Sequence, residues 1–337
     1  MQIDRNPQRV AVIKTGYQET FNELDVGGEV SLGDVLRTTP LLHLLKGAEV
    51  HWFVSPQGRP LLEGASKIHQ LHSIDGNWNP FDPSSFDLVI NLEKDPQILK
   101  HLRALDRRKL VGFTESSHSD YLLRISGQDD PISISDFKAR QKAGGARLWQ
   151  DWLFGLFQKQ WNCEGYIFSP PETALTSDVG LNWKIGNKWP SKDIALSFWD
   201  ETEKVLAAQY SVTWQRGFED LAEYIRWVSS CRVIVTNDSL GLHLAIALGK
   251  KVCALFGPTP SEEVFLYGRG QKIIFEVPSQ YHCLPCSKPH CFQPISCTQF
   301  AQVKQVQNVV VEALGRKATQ DARETDLKTS HFSVYRA

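Results

Sequence analysis

Short apolar runs alternate with helical stretches along the first half of the chain. RVAVIK (residues 9 to 14), EVHWFVS (49 to 55), FDLVINLE (86 to 93) and KLVGF (109 to 113) read as strands, with helices predicted near 34 to 46, 57 to 65 and 96 to 107. Several of these runs are apolar at consecutive positions, as a strand covered on both faces requires; a strand with one wet face alternates. Strands alternating with helices in this way predict a parallel sheet layered by helices. Residues 114 to 150 break the rhythm with Ser, Gly, Asp and Pro clusters, and the aromatic-rich WQDWLFGLFQKQW follows at 149 to 161.

The rhythm then restarts. DVGLN (178 to 182), YSVTW (210 to 214), CRVIVTN (231 to 237) and KVCALFG (251 to 257) predict strands, with helices near 191 to 207, 218 to 229 and 239 to 249. A last helix, from about 298 to 314, carries Val303, Val306, Val309 and Val310 on one side. The expectation is an α/β protein of two Rossmann-like domains, 1–165 and 166–315, with a cleft between them and a polar, fraying tail at 316–337. Doubly wound sheets bind ligands beyond the carboxyl ends of their strands, so the loops there are where chemistry is sought.

Composition narrows the field. The 337-residue chain is 42% hydrophobic and balances 37 Lys and Arg against 38 Asp and Glu, so no global field recruits nucleic acid or an anionic membrane. The N-terminus has no secretory h-region, and no apolar run approaches the ~20 residues of a membrane span. A cytoplasmic protein is expected. Lys100, Arg103, Arg107 and Arg108 offer peripheral contact with an inner-membrane face, a solvated helix face being the alternative.

Common nucleotide motifs fail by inspection. No G-x-G-x-x-G follows the first strand, and Gly28 to Gly33 has the outer spacing of a Walker A loop but continues with Asp34 and Val35 where Lys and Ser or Thr are needed. H-E-x-x-H, G-x-S-x-G and Asp-x-Asp are absent. Three segments remain. Ser31-Leu-Gly-Asp-Val-Leu-Arg-Thr-Thr-Pro40 is a Gly-containing turn into a helix, in which Asp34 is either an N-cap or a general base. Thr236 to Gly249 ends a strand and opens a nearly all-apolar helix whose free N–H groups and dipole make a phosphate site without metal. There Ser239 adds a hydroxyl donor, Gly241 leaves room for close approach, Asp238 is a ligand or only a cap, and His243 is a ligand or a satisfied core imidazole. The loop Asn182 to Pro190 offers Lys184 and Lys188, either neutralising a phosphate or solvated.

Together SLGDVLRTTPLL, NKWP, NDSLGLHLAIALGKKVCALFGPT and the cysteines after them resemble glycosyltransferase family 9, the ADP-heptose:lipopolysaccharide heptosyltransferases, in order over roughly residues 9 to 310. The resemblance implies a GT-B fold and an inverting, metal-independent transfer from a nucleotide-sugar donor, ADP-heptose favoured, to a glycan or glycolipid. It implies Asp34 as the base of G-D-V-L, Lys188 as the K-W-P lysine on the donor phosphate, and Asp238, Ser239, Leu240, Gly241 and His243 as the donor-binding segment. This chain reads Asp-Ser-Leu-Gly where the family has Asp-Ser/Thr-Gly, and its Gln18 to Ser31 stretch is longer than the family's turn.

Cys283, Cys286, Cys291 and Cys297, flanked by His282 and His290, fall within one short stretch. Four soft ligands suit a structural Zn or Fe, with two disulfides or free thiols as alternatives. The resemblance extends to protein-modifying heptosyltransferases with an iron-binding Cys finger. The expected function is therefore glycosyl transfer to a bacterial surface glycan such as lipopolysaccharide core. A protein glycosyltransferase and a non-catalytic sugar-nucleotide scaffold are the alternatives.

Overall fold

The computed structural model describes residues 8–17, 30–116, 121–145, 148–186, 188–217 and 220–315. Most of the Gln18 to Ser31 stretch and the tail at 316–337 lie outside the described residues. The chain divides into two compact units, Met1–Ser169 and Pro170–Ala337.

In the first unit a seven-stranded sheet runs β3-β2-β1-β4-β5-β6-β7. Its parallel part is β1 (Arg9–Ile13), β2 (Glu49–Val54), β3 (Gln70–Ser73), β4 (Leu88–Asn91) and β5 (Leu110–Ser116). Four of the five β1 residues and all of β4 are buried, as their unbroken apolar runs require. The segment that breaks the rhythm turns out to close the sheet. β6 (Tyr121–Arg124) and β7 (Ile132–Ser133) add antiparallel strands, and α3 (Ile134–Ala143) and α4 (Trp149–Gly155) follow.

The helix expected near 34 to 46 is split into α1 (Leu32–Arg37) and a 3-10 turn, Thr39–Leu44. Pro40 enters there without an N–H for an α-helical ladder, while the Thr38 and Thr39 hydroxyls donate to Asp34 O at 2.7 Å and Leu36 O at 2.8 Å. The helix expected near 57 to 65 is one 3-10 turn, Arg59–Leu61, and α2 is the shorter Pro96–Leu102. Arg108, one of the cations on this side, is paired with Asp106 at 2.9 Å.

In the second unit five parallel strands run β12-β11-β10-β8-β9: β8 (Ser177–Asn182), β9 (Val212–Trp214), β10 (Cys231–Asn237), β11 (Lys251–Phe256) and β12 (Gly270–Ile274). Helices α5 (Leu196–Leu206), α6 (Leu221–Ser230), α7 (Leu240–Ala247) and α8 (Val303–Leu314) cover it. Val179, Leu181, Val233 and Val235 pack with Trp199 of α5 and with Val306 and Val310 of α8 in one core. Fully burying such side chains stabilises by about 1.5–3 kcal/mol each. The strand order reverses at β8, which has β9 on one side and β10 on the other. This is the switch point at which doubly wound sheets open a crevice. Among the described residues no helix is long and apolar enough to cross a membrane.

Gly112 of β5 has φ +98°, and a Cβ there would collide with Asn91 O of β4. Gly112→Ala should therefore destabilise the first unit by about 3 kcal/mol. Urea unfolding is the check, with a lowered midpoint and an unchanged slope expected.

Candidate functional site

The carboxyl ends of β1 and β4 are tied by polar side chains. Asn91, fully buried, donates to Glu93 O at 2.9 Å and Phe113 O at 2.8 Å. Glu93 Oε1 accepts from Thr15 N at 2.6 Å and Gly16 N at 2.8 Å, with Lys14 Nζ 3.5 Å away. Gly16 O in turn accepts from Ser31 N at 2.8 Å, which fixes where α1 begins.

Ser31 is the N-cap of α1, and Asp34 is its third residue. The carboxylate is thus in the first turn, where the helix dipole favours negative charge, and is not the cap that the sequence left as an alternative. It is ion-paired with Arg37 one turn on; the two side chains are 16% and 18% exposed. The Arg37 guanidinium carbon lies 4.3 Å from the centre of the Trp149 ring, a cation–π contact with the first residue of α4. Arg37 was legible as an i,i+3 partner of Asp34. Trp149, far along the chain, carried no such signal.

In the second unit the turn from β10 into α7 gathers Asp238, Ser239, Leu240, Gly241 and His243. Ser239 is the N-cap, yet no side chain caps the helix. The Ser239 hydroxyl instead accepts from Asn182 Nδ2 at 3.1 Å; the same Nδ2 donates to Thr236 Oγ1 at 2.8 Å, and Tyr224 donates to Asn182 Oδ1 at 2.6 Å. Burial pushes the Tyr224 phenol pKa upward, so it stays a donor. Gly241 has a different reason from the one the sequence suggested. A Cβ there would collide with Asn182 Nδ2 and lie 2.6 Å from the Tyr224 hydroxyl, so glycine lets the first turn of α7 sit on these two side chains. His243 is 4% exposed, inside the same helix.

Sequence reasoning missed a cation that is paired at this turn. Lys192 Nζ donates to Asp238 O and to Asp238 Oδ2, each at 2.9 Å, and both side chains are about 15% exposed. Lys188 is half-buried four residues earlier in the same loop, and Lys184 is exposed. The signal for Lys192 was weak: it is one of three lysines in a polar loop, and the 3-10 turn Pro190–Lys192 selects it. An uncapped helix start favours negative charge, and here the nearby ammonium is already paired with Asp238.

All four cysteines of the 283–297 stretch are free thiols; Cys283 and Cys286 are half-buried, Cys291 exposed and Cys297 buried. Burial, reinforced by Cys286, Cys291 and Cys283, pushes the Cys297 pKa up to about 11. The thiols are therefore neighbours, but among the described residues no three His, Cys, Asp or Glu side chains are gathered to hold one metal ion.

Residues 216–294, which include the β10–α7 turn, match the profile of glycosyltransferase family 9 (heptosyltransferase). Over that stretch the chain is similar to glycosyltransferase family 9. No curated protein matches the sequence. Solved structures share the fold: a family 9 glycosyltransferase from Veillonella parvula is 16% identical with a TM-score of 0.61, over 93% of this chain and 98% of that one. ADP-heptose lps heptosyltransferase II of E. coli is 12% identical with a TM-score of 0.50, over 90% and 99%. The iron-containing dodecameric glycosyltransferase TibC of enterotoxigenic E. coli is 13% identical with a TM-score of 0.54, over 93% and 77%.

Gly241→Ala of this family 9-like chain should displace the start of α7 from Asn182 and Tyr224. The expected cost is about 2 kcal/mol of stability, with nucleotide binding weakened about tenfold or more; thermal unfolding and calorimetric titration measure the two.

Proposed function

We propose that the chain is an inverting, metal-independent glycosyltransferase that moves a heptose-like sugar from a nucleotide-sugar donor to a hydroxyl of a bacterial surface glycan such as lipopolysaccharide core. Glycosyl transfer as such is what the family match supports. The observation that carries the donor assignment is the start of α7, with no side-chain cap and with Lys192 beside it.

The second unit holds the donor and the first supplies the base. As the acceptor oxygen bonds to the anomeric carbon, Asp34 takes the hydroxyl proton and the bond to the distal phosphate breaks on the opposite face. The electron pair leaves with the nucleoside diphosphate. The developing charge is met by the α7 N–H groups and by Lys188 and Lys192, in the place a divalent cation takes elsewhere. ADP-heptose is the favoured donor because TibC is described in complex with ADP-D-beta-D-heptose and E. coli WaaC with ADP-2-deoxy-2-fluoro heptose. The four-cysteine stretch favours a second reading, a protein acceptor. A structural Zn or Fe there is a separate proposal that the reaction does not need; it requires the loop to draw its thiols closer together.

A thermal-shift panel of ADP-, GDP-, UDP- and CMP-sugars tests the donor class, and a rise confined to ADP-heptose and ADP is expected. Asp34→Asn should lower transfer by roughly 10²- to 10⁴-fold while donor affinity stays within about twofold. Unchanged turnover in this variant removes Asp34 from the role of base, and wild-type protein that binds the donor without transferring its sugar is a sugar-nucleotide scaffold. Lys188→Ala should weaken donor binding, and unaltered affinity removes Lys188 from the site. Elemental analysis of the purified protein, against Cys283→Ser, tests the metal: near one equivalent of Zn or Fe, lost in the variant, is expected.

A further inference from the structure

Between half-buried Cys286 and exposed Cys291 the chain bonds to the loops that leave β8 and β11. Ser287 N donates to Pro258 O at 2.8 Å, just past the end of β11. The next two carbonyls both hold Ser191. Lys288 O accepts from the Ser191 hydroxyl at 2.6 Å, and Pro289 O accepts from Ser191 N at 2.9 Å. Ser191 is 6% exposed and is the middle residue of the 3-10 turn Pro190–Lys192. Both of its donors are thus satisfied by one neighbouring segment, and a buried hydroxyl without such a partner is costly.

Lys192 follows directly, so whatever holds Ser191 also aims Lys192. The turn closes through Lys192 N to Trp189 O and Asp193 N to Pro190 O, each at 3.0 Å, and Lys192 O accepts from Asn237 Nδ2 at 3.3 Å. The ammonium lies 5.1 Å from the centre of the Trp189 ring and donates twice to Asp238, which leaves one of its three protons for a ligand. A lysine side chain loses much rotamer freedom when it is fixed, so an ammonium held in place beforehand costs a ligand less to engage. We propose that Ser191 is a positioning residue for the donor: through it the 287–289 strap holds the Lys192 ammonium at the start of α7, set in advance for the diphosphate. The inference rests on the transferase reading above, in which the diphosphate sits at that helix start. It adds that the cysteine stretch tunes donor affinity through Ser191.

Calorimetric titration with ADP, or with whichever nucleoside diphosphate the donor panel selects, is the test, applied to Ser191→Ala, Lys192→Met and the double variant. Thermal unfolding controls for folding. Ser191→Ala should weaken ADP about three- to tenfold, and in the Lys192→Met background it should weaken ADP by less than about twofold more. Losses that multiply in the double variant overturn the proposal, because Ser191 then acts independently of Lys192. Undiminished affinity in Ser191→Ala overturns it as well. A second measurement needs no Ser191 variant. Saturating ADP should slow alkylation of Cys291 by iodoacetamide about twofold or more in the wild type, since coupling between two places is reciprocal, and should not slow it in Lys192→Met. An unchanged rate in the wild type, or slowing that persists in Lys192→Met, overturns the link between strap and lysine. Wild-type protein that binds no nucleotide of the panel overturns the transferase reading and the proposal with it, a result distinct from firm ADP binding that Ser191→Ala leaves intact.

Discussion

The buried hydrogen bonds under the first turn of α7 are the constraint on which the second unit depends. Asn182 ends β8, Thr236 lies near the end of β10, Ser239 begins α7 and Tyr224 comes from α6, and one amide joins all four. Leaving any of these groups unpaired in the interior costs about 1–3 kcal/mol, so the turn has one favourable arrangement. That arrangement consumes the Ser239 hydroxyl internally and leaves the first N–H groups of α7 without a side-chain cap. It also dictates glycine at 241, since no side chain fits between the helix and Asn182.

The first unit solves a related problem with charge. Glu93 holds the turn after β1 through two backbone N–H groups, and that turn sets the start of α1. Asp34 then projects from the first helical turn against Arg37, whose other face is covered by Trp149. Partial burial shields this pair from the solvent and salt that leave an exposed pair about 0–1 kcal/mol, while desolvation of the two charges offsets much of the gain. The carboxylate is thus oriented by a residue on its own helix and, through it, by α4.

Much of this was legible along the chain. The doubled α/β rhythm predicted two parallel sheets, because strands buried on both faces are apolar throughout, and the strand-to-helix turns carried Asp34 and the Asp238 to His243 segment. The errors lie where local pattern and local chemistry compete. The helix foreseen near 34 to 46 ignored Pro40, which ends the α-helical ladder, and the one near 57 to 65 survives only as a turn. Residues 114 to 150 looked irregular because β6 and β7 are short and antiparallel, with turn residues close together. Gly241 was noticed, but for ligand approach, since the side chains pressing on it come from β8 and α6.

By itself the sequence determined the class of fold, the two strand-to-helix turns that carry Asp34 and the Asp238 to His243 segment, and the family resemblance. Periodicity, turn chemistry and motif order are local properties, and each is written in consecutive residues. Tertiary structure alone decided that Lys192 pairs with Asp238, that Trp149 covers Arg37, and that the Lys288 and Pro289 carbonyls hold Ser191. Such pairings depend on which loops the sheet order brings side by side, and distances across a sheet are set by packing and not by separation along the chain.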